Sequence, residues 1–147
     1  MALRPRSSGP SDHQRLAEDH VRLDALFEQV LERARTGDWH ECDKIWNEFS
    51  SALLEHFAFE EQQLFPDYAA SSATARQEVS ELLAEHDEVR ELLDRIGVEI
   101  QLKRVDQPTI DALIARLRAH ATRENAAFYP WVGKLPGKAS GKLSGKA

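Results

Sequence analysis

The sequence predicts an all-α protein, an antiparallel up-down-up-down four-helix bundle. Three observations carry this. Four long segments place apolar residues at alternating spacings of three and four. Short stretches rich in Gly, Asp, Ser and Pro separate them. No segment alternates apolar and polar residues with period two over a useful length, so strands are not expected. Four amphipathic helices joined by short connections pack as neighbours of alternating direction.

The first helix is expected from about Ser11 to Arg35, capped by Ser11 or Asp12. Its inward stripe is Leu16, His20, Leu23, Phe27 and Val30. Thr36-Gly37-Asp38 breaks it, with Gly37 as the stop and Asp38 as the next cap. The second helix runs from about Trp39 to Tyr68, on a stripe of Cys42, Ile45 or Trp46, Phe49, Leu53, His56, Glu60 and Leu64. Pro66 falls in its last turns and is expected to distort them. Ala69 to Thr74 reads as a loop. The third helix, about Ala75 to Lys103, turns Val79, Leu82, His86, Val89, Leu93 and Ile96 inward. Asp106-Gln107-Pro108 opens the fourth, with the proline tolerated in the first turn. Its stripe is Ile110, Leu113, Leu117, His120, Glu124 and Phe128, and Pro130 closes it. The folded domain is therefore expected over residues 11–132. Residues 1–10, rich in Pro, Ser, Gly and Arg, are expected to be disordered. Residues 133–147 repeat Gly and Lys with period four and read as a flexible basic tail.

Composition bounds the function. At 147 residues, the chain suffices for one domain with a real core. The net charge is −6, and the last fifteen residues carry four lysines and no acid, which leaves −10 on residues 1–132. That acidic body argues against nucleic acid as a partner. The single cysteine, Cys42, excludes an internal disulfide and points to a reducing, cytoplasmic setting. No apolar run reaches membrane-spanning length. Nothing in the sequence sets the oligomeric state.

The chemistry lies on the apolar stripes. Each helix carries one inward histidine: His20, His56, His86 and His120. Two of them are followed four residues later by glutamate, as His56-x-x-x-Glu60 and His120-x-x-x-Glu124. That spacing puts both side chains on one helix face, one turn apart. Any one such histidine is more often a hydrogen-bonded core residue than a ligand. The argument rests on convergence. Counted from the helix ends, the histidine levels of neighbouring helices differ by about 3, 1.5 and 6 Å at 1.5 Å per residue, which loops can absorb. Six such groups cannot lie unpaired in a core, and metal cations resolve this. Six ligands on four helices suit two ions, one on His20 and His56 and one on His86 and His120, with Glu60 and Glu124 bridging. Imidazole with carboxylate suits iron, and also zinc or manganese. A histidine-rich set carries less negative charge than the Glu-x-x-His sets of ferritin-type bundles, which favours ferrous iron and binding of a small ligand.

These stretches resemble the hemerythrin-like family, also called the HHE cation-binding domain. The matching segments are EDHVRLDALF around His20, EHFAFEEQQLFP around His56 and Glu60, EHDEVRELL around His86, and HATRENAAFYP around His120 and Glu124. The resemblance implies a non-haem, carboxylate-bridged di-iron site with those six residues as ligands. It implies binding or sensing of dioxygen or nitric oxide, or handling of iron. One position departs from the pattern. Oxygen-carrying members have a second histidine one turn after the third-helix ligand, where this chain has Arg90. That implies an open coordination position, filled by water or another carboxylate, Glu61 being the nearest. It argues against simple oxygen carriage and keeps an enzyme acting on peroxide, nitric oxide or oxygen as the alternative. A single structural zinc is the blandest reading.

His13, one helical repeat before His20, is about 10 Å away and outside the site. His40 is expected to be exposed, Cys42 to be a small core residue, and Trp39, Trp46 and Trp131 to cap the bundle ends.

Overall fold

The computed structural model describes residues 11–135, and among them there is helix and no strand. The expected disordered segment 1–10 and most of the expected tail, 136–147, lie outside the described residues. The elements are α1 (Asp12–Thr36), α2 (Trp39–Phe59), a π-helical turn (Glu60–Leu64), α3 (Phe65–Ser71), α4 (Ala73–Gln101), α5 (Gln107–Arg123), a second π-helical turn (Glu124–Phe128) and α6 (Tyr129–Gly133). Since α3 and α6 continue α2 and α5, the body is four long helices. None is long and apolar enough to cross a membrane.

The helix ends are local chemistry. Ser11, Asp38, Ser72 and Asp106 each accept a hydrogen bond from the backbone N–H three residues on, satisfying a donor the helix leaves free. Gly37 ends α1 at φ 78°, a left-handed conformation that costs a side-chain-bearing residue energy. Two boundaries differ from expectation. The segment Ala69–Thr74 is not a loop: helix continues to Ser71, and extended Ser72 alone separates it from α4, whose first turn it caps. At the chain's end Pro130 does not close the helix, because α6 runs to Gly133, and Leu135 packs on the core. Gly133 to Leu135 thus belong to the body and not to the tail.

Contacting positions run in opposite senses along neighbouring helices. Cys42 Sγ lies 3.6 Å from the Val30 carbonyl while His56 meets Asp19. Arg116 pairs with Glu88, His120 with Glu85 and Arg123 with Glu81. The core divides in two. One cluster packs Leu23, Val30, Phe49 and Ile96 with Leu113 toward one end, and the other packs Leu16, Phe65, Leu82 and Phe128 toward the other. Trp46 is a full member of the first cluster, not a cap. Its indole nitrogen reaches Gly97, where an added Cβ would stand 3.2 Å from it, so the missing side chain makes room for the ring.

Candidate metal centre

Between the two apolar clusters lies a polar layer. His56, Glu60, His86, His120 and Glu124 are buried, and His20 is partly exposed. All six sequence-predicted residues meet here. Ligand-type atoms of Glu60, His86, His120 and Glu124 lie within 4.8 Å of one another, as do those of His20, His56 and Glu124. Glu124 belongs to both groups. Glu60 spans them as well, with Oε2 3.1 Å from His56 Nε2 and Oε1 3.1 Å from His86 Nε2. The loosest level match, between the third and fourth histidines, closes because α4 stops at Gln101, two residues before the expected Lys103. That trims the mismatch to about 3 Å.

Both glutamates open a π-helical turn. Phe65 N–H bonds to Glu60 O, and Tyr129 N–H bonds to Glu124 O, each five residues back instead of four. A proline follows each glutamate at the same distance, Pro66 and Pro130. In an α-helix its ring would collide with the carbonyl four residues before it, and it brings no N–H. The wider turn removes the collision. It also redirects side chains. Five residues along an α-helix turn a side chain about 140° away, yet here Phe65 and Tyr129 return to the face of Glu60 and Glu124 and are buried. Such single turns are frequent at functional sites.

Three of the four imidazoles are held from behind by a carboxylate on Nδ1. Asp19 lies 3.0 Å from His56 Nδ1, Glu61 2.6 Å from His86 Nδ1 and Glu85 2.8 Å from His120 Nδ1. Those carboxylates accept a hydrogen bond from Nδ1–H and leave Nε2 facing the centre, an arrangement that fixes ring and tautomer for metal ligation. Arginines neutralise two of them: Arg90 bonds Glu61 at 2.9 Å and Arg123 bonds Glu85 at 2.7 Å. Glu61 is therefore no spare ligand, since it sits on the outer side of His86. Arg90 is turned toward Glu61 and Asp87. His20 alone of the four has no such carboxylate among the described residues. In the second repeat Asn125, exposed, stands where Glu61 stands in the first.

The charges show why the layer suits cations. Glu60 Oε1 and both oxygens of Glu124 are buried; ring nitrogens stand 3.1 Å from Glu60 Oε1 and 3.0 Å from Glu124 Oε2, and Glu124 Oε1 has no hydrogen-bond partner among the described residues. His86 and His120 point Nε2 at each other across 3.2 Å. Burial works to lower the His56 pKa, but the bonds to Asp19 and Glu60 outweigh it and push it up to about 10. Burial likewise opposes His120, which Glu124 and Glu85 push up to about 9. Burial would raise Glu60, yet hydrogen bonds from His56 and His86 hold it well below the usual carboxylate range. Glu124 is pushed upward by burial and by the neighbouring charge of Glu60. Without metal, protons supply the positive charge here. A metal ion would use the same lone pairs and the buried carboxylate oxygens, so the residues fit one.

The sequence reading missed Asp19, Glu85 and Tyr129, and took Glu61 for a spare ligand instead of a partner of His86 Nδ1. A signal for two of them exists: Asp19-His20 and Glu85-His86 are acid-histidine pairs, and in each the acid serves the histidine of the following helix. Tyr129 Oη, buried, donates to Glu60 Oε2 at 3.0 Å and lies 2.9 Å from His20 Nε2. Burial and the nearby glutamates hold its phenol well above the usual range. The repeats His56-x3-Glu60-x4-Phe65-Pro66 and His120-x3-Glu124-x4-Tyr129-Pro130 signal it, once the π turns are known.

Residues 11–132 match the family model described as the hemerythrin HHE cation binding domain. No curated protein and no solved structure matches the chain.

Proposed function

Because the chain belongs to the hemerythrin HHE cation-binding family, we propose that it holds a pair of iron ions between its helices and uses them to bind or sense dioxygen or nitric oxide, or to handle iron. His20 and His56 would hold one ion and His86 and His120 the other, with Glu60 and Glu124 placed to serve both. The opposed senses of neighbouring helices support an up-down-up-down antiparallel bundle as the frame. The observation that carries the reading is the inward set of donor atoms: three buried carboxylate oxygens and two ring nitrogens facing each other at 3.2 Å. Zinc or manganese would satisfy the same donors.

When bound, the ions supply coordination positions at which a small diatomic molecule can sit. The chain's residues do the rest. Asp19, Glu61 and Glu85 keep the imidazoles aimed inward. Phe57, stacked on His86 at 3.7 Å between ring centres, and Phe65, at 5.5 Å, give that side an apolar wall that limits water. A water-sized cavity of about 40 Å³, lined by Arg15, Asp19, Arg22 and His56 among others, lies beside the centre. The expected setting is the cytoplasm, from the lone cysteine.

Metal analysis of anaerobically prepared protein tests this. Two irons per chain are expected, falling in Glu60→Gln and His120→Ala. One zinc and no iron would refute the reading. An enzymatic role on peroxide, nitric oxide or oxygen is the second reading. It draws on Arg90, whose engagement with Glu61 and Asp87 leaves the His86/His120 side with two imidazoles. Adding oxygen to the ferrous protein separates them. A reversible visible band supports binding, and turnover of added peroxide supports the enzyme.

A further inference from the structure

One difference between the two helical repeats brings a polar atom into the centre. Phe65 and Tyr129 correspond, and each packs at 5.5 Å between ring centres on the histidine of another helix, Phe65 on His86 and Tyr129 on His20. A phenol oxygen therefore enters the His20/His56 side and has no counterpart on the other. That oxygen lies 2.9 Å from His20 Nε2, 3.0 Å from Glu60 Oε2 and 3.4 Å from His56 Nε2. Glu60 Oε2 is itself 3.1 Å from His56 Nε2. Two donors held cis on one first-row metal ion, each about 2.1 Å from it, stand about 3 Å apart. These separations are in the range of neighbouring donors around a single ion. The phenol gives its one proton to Glu60 and can accept from a ring N–H, so hydrogen bonds hold it among these atoms, and the same close grouping suits a shared ion.

We propose that Tyr129 is a protein ligand of the ion held by His20 and His56. This rests on the two-ion reading above and makes the two ions unlike. The ion on His20 and His56 gains a hard anionic oxygen. The ion on His86 and His120, walled by Phe57 and Phe65, keeps the open positions. On binding, the phenol O–H bond breaks as the metal–oxygen bond forms, the proton leaves to solvent, and no electron moves. A tyrosine oxygen favours the ferric state of its own ion, a bias that the histidine-rich set by itself does not provide.

The test uses the full chain, loaded with ferrous iron anaerobically and oxidised with ferricyanide. The chain has two tyrosines, and Tyr68 is away from the centre with its hydroxyl on Glu78, so Tyr68→Phe is the control. Wild type, Tyr129→Phe and Tyr68→Phe are compared for iron per chain, visible absorption and resonance Raman scattering, the latter also with ring-deuterated tyrosine. Expected are two irons in each and a phenolate-to-ferric band in wild type and Tyr68→Phe that shifts its Raman ring modes on deuteration. Tyr129→Phe loses the band while keeping its iron. If that variant does not fold, the isotope shift in Tyr68→Phe, where Tyr129 is the remaining tyrosine, decides. Two irons with no tyrosine-derived band in wild type would overturn this proposal alone. No iron in wild type would overturn the two-ion reading and this proposal with it.

Discussion

Replacing Glu85 with alanine removes the carboxylate that accepts from His120 Nδ1 at 2.8 Å and leaves Arg123 with Glu81 as its remaining partner. His120 then loses what fixes its tautomer and ring angle, and its lone pair becomes a poorer donor. Removing such an outer partner weakens metal binding by about 10- to 100-fold, or roughly 1.4–2.7 kcal/mol. Glu85→Ala belongs in the upper half of that range, because the lost bond is charge-assisted and near the buried centre. Asp19→Ala belongs in the lower half. The 40 Å³ cavity beside Asp19 can admit a water to accept from His56 Nδ1 in its place. Glu85→Gln restores an acceptor oxygen and should recover most of the loss. Glu81→Ala, which touches Arg123 at the surface, should change nothing measurable. The assay is competition for ferrous iron against a chromophoric chelator, with circular dichroism to verify the fold. Affinity in Glu85→Ala within twofold of wild type, or a larger loss in Asp19→Ala than in Glu85→Ala, would refute the clamp argument.

Without metal, stability should fall as pH rises from about 7 to 10. His56 and His120 titrate near 10 and 9 in the folded chain against about 6.5 unfolded, so their stabilising protons are present below that value and lost above; thermal melts of metal-free and metal-loaded protein across that range should show the decline mainly in the former. Gly37→Ala places a Cβ at φ 78° with no neighbour to clash, so it should cost the conformational term alone, about 1–2 kcal/mol, seen as a melting temperature roughly 4–8 °C lower. Leu113→Ala, fully buried in the cluster away from the glutamate turns, should cost about 2–5 kcal/mol in chemical denaturation while metal stoichiometry is unchanged; a changed stoichiometry would mean the core and the centre are not separable.

The local and the periodic are legible along the chain. Spacings of three and four gave each helix its buried face, and Gly37, Asp38 and Asp106 marked its ends, because capping and backbone conformation depend on a few adjacent residues. The same periodicity put His20, His56, Glu60, His86, His120 and Glu124 on inward stripes, since a residue's face follows from its number along a regular helix. The irregular was decided elsewhere. Glu60 and Glu124 start turns that abandon the regular count, so the inward placing of Tyr129 was invisible to a 3.6-residue rule. The role of Arg90 could be read only as a missing ligand; its bond to Glu61, and the bond of Glu61 to His86, join residues on different helices. Asp19, Glu61 and Glu85 look like ordinary surface acids along the chain. They act on histidines 25 to 37 residues away, and only the packing of one helix against another brings them there. Periodicity can tell which side of a helix faces the core. Which atoms meet in that core depends on the depth, rotation and end-point of every helix at once, and those are properties of the assembled bundle.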